Sequence, residues 1–596
     1  MNDPASNLSE SAELSREEKL ERRMRRFKLV AILLFVLSVL LMLGWILVDY
    51  TYVCRFPAGT AIIDQAAVKD HAPLYNYFFP KVTPGGRRGG GPPASPPNKY
   101  VQRLQPYLTY RHYVIPDGAT EIGYFAFDRL KELRTVRMPD TVTKIGVSSF
   151  IFCPELRKVV LSDSLTEIGQ NAFLGCPELE DIRLPEGLKV IGENAFSQCT
   201  SLKEIEIPAS VEKIGSGAFA SCGLVRALIP DGARPLKIVA HTFSHCSDLR
   251  EVELSGRVED LVYGMFTGCT NLEKVVLHEG VQYIHCTFEN CTRLKEINLP
   301  ASVKFFANKA FKGCTALKQV DLSSCGGIGI SDESFSGCTA LEKVVLPDDA
   351  DYIGDSAFLG CANLKEINIP PGLNHIGSGA FLGCASLKEI ELPDDLLNIG
   401  LHVKMFSGCT SLTRLKIPEK CDYTWSIPES FCFGCASLKR IEMPDRCTAI
   451  GAHAFDGCAA LEEVIMPKSV HTIREWAFAG CSSLKKIVIQ NGLHSDGYAE
   501  LPDIPIPRLD TIPENAFSGC TALEEVILPD TLTEIRGQAF ENCTSLKKIV
   551  IPPRVKMIGP RAFFGCSNLR DIVFRSPTPV DIAPDAFEGT LFRPLP

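Results

Sequence analysis

The chain lacks the short signatures by which most catalysis is recognised. Its 596 residues hold no G-x-S-x-G, no H-E-x-x-H and no G-x-x-x-x-G-K-[ST]. That removes the sequence basis for elbow-serine hydrolysis, zinc proteolysis and P-loop nucleotide chemistry. The eleven His are scattered; the pair four apart, His241 and His245, flanks Phe243, which the pattern below marks as core. A surplus of one charge is missing too. With 62 Lys and Arg against 71 Asp and Glu the net charge is −9, mixed along the chain, so no basic stripe offers itself to nucleic acid. These absences predict a protein that is no enzyme, with no cofactor, no metal, no nucleic-acid partner and no small-molecule substrate.

Long apolar runs are scarce, and one stands out: LVAILLFVLSVLLMLGWILV, 29–48, twenty residues without a charge. A helix of about 20 residues spans a bilayer core. Seven Lys and Arg precede it within 15–28, and only Arg55 and Lys69 follow in the next twenty or so. The positive-inside rule then predicts one transmembrane helix with a cytoplasmic N-terminus and an extracytoplasmic remainder, at the cell surface or in a periplasm. A cleaved signal peptide is the rival, against which stand the length of the run and the lack of a small-residue cleavage site. The expected organisation is a cytoplasmic tail over 1–28, the transmembrane helix over 29–48, and a juxtamembrane segment with a worn first repeat or cap over 49–80. A Gly/Pro-rich linker over 81–99 follows, and then a repeat array over 100–596.

The array has a fixed period. Phe127, Phe150, Phe173, Phe196 and Phe219 lie 23 residues apart. The series continues at steps of 22 to 25 through Phe243, Phe288, Phe335, Phe381, Phe431 and Phe478, jumps 39 to Phe517, and ends at Phe587. A period in this range means stacked copies of one small unit, here about 20 of them. In CTSLKEIEIPASVEKIGSGAFASC, 199–222, Ile205 and Ile207 alternate with Glu204 and Glu206, which predicts a short strand ended by Pro208. Ile214, Ala218, Phe219 and Cys222 fall at helix-like offsets and predict a short helix. Gly175, Gly268 and Gly313, or Asn290 and Asn542, sit two residues after Phe, where a left-handed residue would close that helix. The 39-residue jump holds an insertion near 491–508, turn-rich and expected to protrude.

These residues, L-x-x-I-x-L-P followed by L-x-x-I-G-x-x-A-F-x-G-C, resemble the BspA-like, or treponemal, class of leucine-rich repeats over about 100–596. The resemblance implies a solenoid with a parallel concave sheet and a surface role in adhesion and protein binding, with no catalytic residues. The expected fold is thus an α/β leucine-rich repeat solenoid, with short convex helices, behind one transmembrane helix.

Cysteine is abundant, at 24 residues. Eighteen occupy one column, from Cys153, Cys176 and Cys199 to Cys520, Cys543 and Cys566. Neighbours about 5 Å apart with parallel side chains suit a disulfide poorly, so buried thiols acting as small hydrophobes are expected. Six others, Cys54, Cys286, Cys325, Cys421, Cys432 and Cys447, lie off the column; CFGC at 432–435 has redox or metal spacing, but Cys435 belongs to the column. Charges before the strand centre swap sign between units, as in Glu462-Glu463, Lys485-Lys486, Glu524-Glu525 and Lys547-Lys548, which predicts cross-strand ion pairs. After the strand centre the outward residue is polar mid-chain (Glu253, Asn298, Asp321, Asn368, Glu391) and then turns apolar: Ile465, Val488, Ile527, Val550, Val573. This stripe, with Tyr498 in the insert, is the candidate partner-binding surface. The expected function is a membrane-anchored binder of protein partners in adhesion or in host, matrix or cell contact; an envelope spacer without a ligand, or an enzyme with an unrecognised site, are the alternatives.

Overall fold

The computed structural model describes residues 100–101, 111–115, 117–327, 329–393, 401–417, 425–490 and 508–592. The chain divides into two compact units, Met1–Pro93 and Ala94–Pro596, and every described residue belongs to the second. The expected tail, transmembrane segment, worn repeat and linker all fall outside the described residues, as does the insert except Arg508.

Most rungs of the described array carry two short parallel strands, and in two places a strand is reduced to a single bridge, at Glu206 and at Ile330. One strand ends at the Ile of the recurring Ile-Gly step, as in Lys144–Ile145 and Lys213–Ile214; the other follows the cysteine column, as in Lys158–Val160 and Glu251–Leu254. Within a sheet each strand pairs in parallel with its counterpart on a neighbouring rung, so two parallel ladders, interrupted in places, run along the described array. Seven short strands from Tyr100–Val101 to Lys237–Ile238 make one continuous sheet. The long-strand ladder begins with His112–Val114, Thr135–Arg137, Lys158–Val160 and Asp181–Ile182.

The expected short helices are absent: among the described residues there is no helix of any kind. The cause is local. In the unit 199–222, Gly217 and Ser221 both take positive φ, at 60° and 57°, and a left-handed residue every fourth position ends any right-handed helix. The backbone donors turn outward instead. Gly217, Phe219 and Ser221 give their N–H groups to Ala240, Thr242 and Ser244 of the next rung at 3.0, 2.9 and 2.8 Å. The segment read as a helix is therefore a third inter-rung hydrogen-bond ladder, with Ile214 displaced into the short-strand sheet. The left-handed residue two after Phe is present as expected, at Gly175 (φ 70°), Gly268 (74°) and Asn290 (61°), but it closes a turn.

The expected single-pass placement is corrected as well. Among the described residues no helix is long and apolar enough to cross a membrane, so neither a transmembrane helix nor a cytoplasmic N-terminus with an extracytoplasmic array has structural support; 29–48 itself lies outside the described residues.

Inside, the Phe column is a stack of rings. Phe150, Phe173, Phe196 and Phe219 are fully buried, with neighbouring centroids 5.0, 5.2 and 5.3 Å apart and planes within 10°. The stack breaks at one rung, where Phe406 and Phe431 meet edge-on at 82°. There Cys432 occupies the phenylalanine slot: its carbonyl accepts the thiol of Cys458, as Phe carbonyls do elsewhere, and Phe431 stands in the alanine slot. Assigning Phe431 to the column is thus off by one residue. The glycine of Ile-Gly also has a reason. Gly192 donates to Ile168 O at 2.8 Å, and a Cβ there would lie 2.5 Å from Gln170 N.

Candidate binding surface

The long-strand ladder offers the array's most regular open face. Its central residues point inward: Val136, Val159, Val252 and Ile487 are at most 2% exposed. The residues on either side point outward, because side chains alternate along a strand, and the parallel register lines them up in rows.

The row before the centre is charged and largely paired within itself. Arg226 bonds Glu251 at 3.2 Å, Lys343 bonds Glu366 at 3.1 Å, Arg440 bonds Glu463 at 2.9 Å and Lys486 bonds Glu525 at 2.8 Å. One position earlier, Lys295–Glu273 and Lys365–Glu342 both close at 2.7 Å. The hydrogen bond from Lys365 holds the Glu342 carboxyl below its usual range. These pairs lie at the solvent-facing surface, where water screens them, so each adds little to stability. Their main effect is to neutralise the face from within and to fix the rung register.

The row after the centre is where the sequence reading placed its candidates. Val488 stands opposite Ile527, Val550 opposite Val573, and Ile465 opposite Glu442 in direct register; the strands of Ile465 and Val488, and of Ile527 and Val550, are neighbours too. The five apolar residues therefore form one row over five rungs, bounded by Glu442. Ile527 and Val573 are 43% and 42% exposed, while Ile465, Val488 and Val550 are half-buried. Tyr498 falls outside the described residues and is left out of the surface. Mid-array the same row mixes Val276 and Val345 with polar residues, and two of those look inward: Asn298 bonds both backbone groups of Leu277, at 2.9 and 2.7 Å, and Asn368 does the same to Leu346 at 2.7 and 2.9 Å.

The cysteine column does something the sequence reading missed. The column thiols donate to the carbonyl in the preceding rung's phenylalanine slot: Cys176 to Phe150 O at 3.0 Å, Cys222 to Phe196 O at 2.9 Å, Cys361 to Phe335 O at 3.1 Å. The described cysteines are all free and buried. Burial pushes the thiols up, to about 12 for Cys246, Cys338, Cys384 and Cys520, which keeps the S–H donor in place. Cys432 and Cys435 are fully buried members of this core. Among the described residues no cluster of three or more His, Cys, Asp or Glu could hold a metal.

One side-chain cluster had no sequence signal. The Tyr352 ring stacks on His375 at 4.7 Å, His375 meets His402 at 5.1 Å, and Tyr352 donates its hydroxyl to Asp332 at 3.1 Å. Burial, then the neighbouring His402, hold the His375 imidazole below its usual value. His241 and His245 carry left-handed backbone (φ 62° and 57°) on either side of buried Phe243, and they fit against Gly264 and Gly268 of the next rung.

With this geometry in view, the sequence matches one family description, a BspA type leucine-rich repeat region in six copies, over 107–226, 227–329, 328–426, 425–499 and 496–593. No curated protein matches the chain. Among solved structures, a leucine-rich repeat protein from Bacteroides ovatus is 25% identical over 74% of this chain and 87% of its own, with a TM-score of 0.36. The leucine-rich repeat protein of T. pallidum is 31% identical over 33% of this chain and 83% of its own, with a TM-score of 0.25. The pneumococcal vaccine antigen PcpA is 18% identical over 62% and 90%, with a TM-score of 0.36.

Proposed function

The chain belongs to the BspA type of leucine-rich repeat proteins, and on that premise we propose that it acts by binding a protein partner, without turnover, through the outward face of its long-strand ladder. The observation that carries the reading is the apolar row Ile465–Val488–Ile527–Val550–Val573. It is open on a face whose neighbouring charged row is partly paired within itself, as in Arg440–Glu463 and Lys486–Glu525, so the apolar strip is the face's distinct contact feature. The finer reading is adhesion: a partner among matrix proteins or proteins of another cell, gripped along five rungs.

The test is direct binding of the full chain to a panel of immobilised matrix proteins. Lys substitutions at Val488, Ile527 and Val550 are expected to abolish binding while unfolding curves stay unchanged, since these side chains point away from the core. Failure of the full chain to bind any of the panel, or binding by the triple variant as tight as the parent's, would sink the reading.

A further inference from the structure

The third ladder, the turn between the short strand and the cysteine, is also a surface. On three successive rungs it carries Phe433, His453 and Trp476. Phe433 and Trp476 are 45% and 39% exposed. The His453 ring joins them, parallel to the indole at 5.8 Å and edge-on to Phe433 at 6.3 Å. A bond between His453 Nδ1 and Asp456 Oδ2 at 2.8 Å fixes the imidazole. The core has no use for these rings. Trp476 takes a left-handed backbone, φ 61°, which a bulky L-residue adopts only at a cost. Apart from Phe125, the other positive-φ residues of this slot, two before the phenylalanine slot, are glycine or polar, such as Asn171, Asn194, Gly217 and Asn515. An indole held open to solvent, where asparagine would fold more easily, is strain of the kind kept for a contact outside the molecule.

Carboxylates stand beside the rings. Glu429 lies in the turn of Phe433. Glu475 precedes Trp476, and its carbonyl accepts the His453 N–H at 3.1 Å; the Glu514 carbonyl accepts the Trp476 N–H at 3.2 Å. All three side chains are exposed, and among the described residues no ion pair or hydrogen bond takes their carboxylates. The neighbouring cations, Lys404 and Arg474, are exposed too and pair with none of them. The turns from Ser426 to Cys435, Thr448 to Cys458 and Thr472 to Cys481 consist of described residues throughout.

We propose that this surface takes arginine side chains from a basic segment of a protein partner. A guanidinium is flat, so one group stacks on an aromatic ring and forks a carboxylate in the same pose. Rings and unpaired carboxylates alternate here along the array: Glu429 by Phe433, Glu475 by His453, Glu514 by Trp476. Residues two apart on an extended segment are about 7 Å apart, and rungs about 5 Å, so arginines at alternate positions reach neighbouring rungs. Lysine brings a point charge without the flat face. An acidic segment would meet the carboxylates as like charges. The surface is the turn ladder, distinct from the apolar row on the long strands, and the inference holds whether or not that row binds a partner.

The experiment is fluorescence anisotropy of a labelled peptide of alternating arginine and glycine, titrated with the full chain, beside the same peptide with lysine for arginine. The arginine peptide is expected to bind about tenfold tighter than the lysine one. Trp476→Asn should lose about tenfold in affinity with a parent-like unfolding curve, since asparagine suits the left-handed slot. Glu475→Lys and Glu514→Lys should each weaken binding about tenfold. Glu180→Lys, at an exposed carboxylate near the other end of the array, should leave it unchanged. If Trp476→Asn unfolds more easily, the two Glu variants at exposed positions still decide. The inference is overturned by a parent that does not bind the arginine peptide, by equal affinity for the lysine peptide, by folded Trp476→Asn binding as tightly as the parent, or by as large a loss at Glu180 as at Glu475 and Glu514. None of these variants touches Val488, Ile527 or Val550, so failure here and failure of the binding face are read separately.

Discussion

The glycines of this period serve two different needs, and substitution can tell them apart. A Cβ added at Gly192 would lie 2.5 Å from Gln170 N and from Gly169 C, and 2.7 Å from Gly169 O. All three are backbone atoms of the preceding rung, and non-bonded carbon contacts settle near 3.5–4.0 Å. Gly192→Ala therefore forces the rungs apart by about 1 Å and stretches the bond from Gly192 N to Ile168 O, now 2.8 Å. The loss should reach about 3 kcal/mol, the upper part of the range for overpacking. Gly360 contrasts with it: φ is +71° and nothing stands within 4 Å of an added Cβ. Gly360→Ala meets only the left-handed penalty, about 1 kcal/mol. Asn sharpens the comparison. The same slot holds Asn290 and Asn542 at φ 61° and 58°, so Gly360→Asn should be milder than Gly360→Ala, while Gly192→Asn should be as harmful as Gly192→Ala. Stability in a stacked array is local, so the assay is urea unfolding combined with amide exchange at the rungs flanking each site. Equal losses at Gly192 and Gly360, or rescue of Gly192 by Asn, would refute the reasoning.

Two further outcomes are expected. With thiols pushed up to about 12 by burial, only about one column cysteine in 10⁴ is a thiolate at pH 8; iodoacetamide should leave the described column unlabelled in native protein and modify it fully in urea, as mass spectrometry will read, and ready native labelling of Cys246 or Cys384 would contradict the buried donor. Folding lowers the proton affinity of His375, so the unfolded state binds more protons and stability should fall as pH drops below the unfolded imidazole value of about 6.5; His375→Phe should flatten that part of a stability–pH curve, and an unchanged slope would show that the cluster with His402, Asp332 and Asp355 does not sense protons.

The period, its core residues and its outward rows were legible because each is a one-dimensional pattern. Phe219, Ile214 and Cys222 recur at fixed spacing, and recurrence in register implies stacking whatever the local backbone does. The backbone between them was not legible. Ile214, Ala218, Phe219 and Cys222 have helical offsets, yet the chain reaches the same inward direction with alternating left-handed turns. The signal lay in the wrong column: residues two before Phe, such as Asn171, Asn194, Gly217 and Asn515, are rich in the types that tolerate positive φ, and all four adopt it. Two such positions four apart exclude a helix, whereas one alone suggests a helix end. Phe431 failed for a related reason, since counting phenylalanines follows residue type, while the aligned glycine, Gly434 (φ 71°), fixes the slot and gives it to Cys432. The Tyr352–His375–His402 cluster draws one residue from each of three rungs, and no single-rung motif could reveal it.

The thiol-to-carbonyl bonds explain why so apolar an interior tolerates so many cysteines. In most rungs the phenylalanine carbonyl also accepts the cysteine N–H of its own rung, as Phe196 O does from Cys199 at 3.2 Å while accepting the Cys222 thiol of the next rung at 2.9 Å. A residue for this slot must be small, apolar on three sides and able to donate once. Alanine would fill it and leave a lone pair bare, while serine would donate but lose the sulfur's volume. The terminal rung shows the converse. There Thr590 takes the slot and turns its hydroxyl to Phe587 O of its own rung, at 2.8 Å, leaving no tie backward.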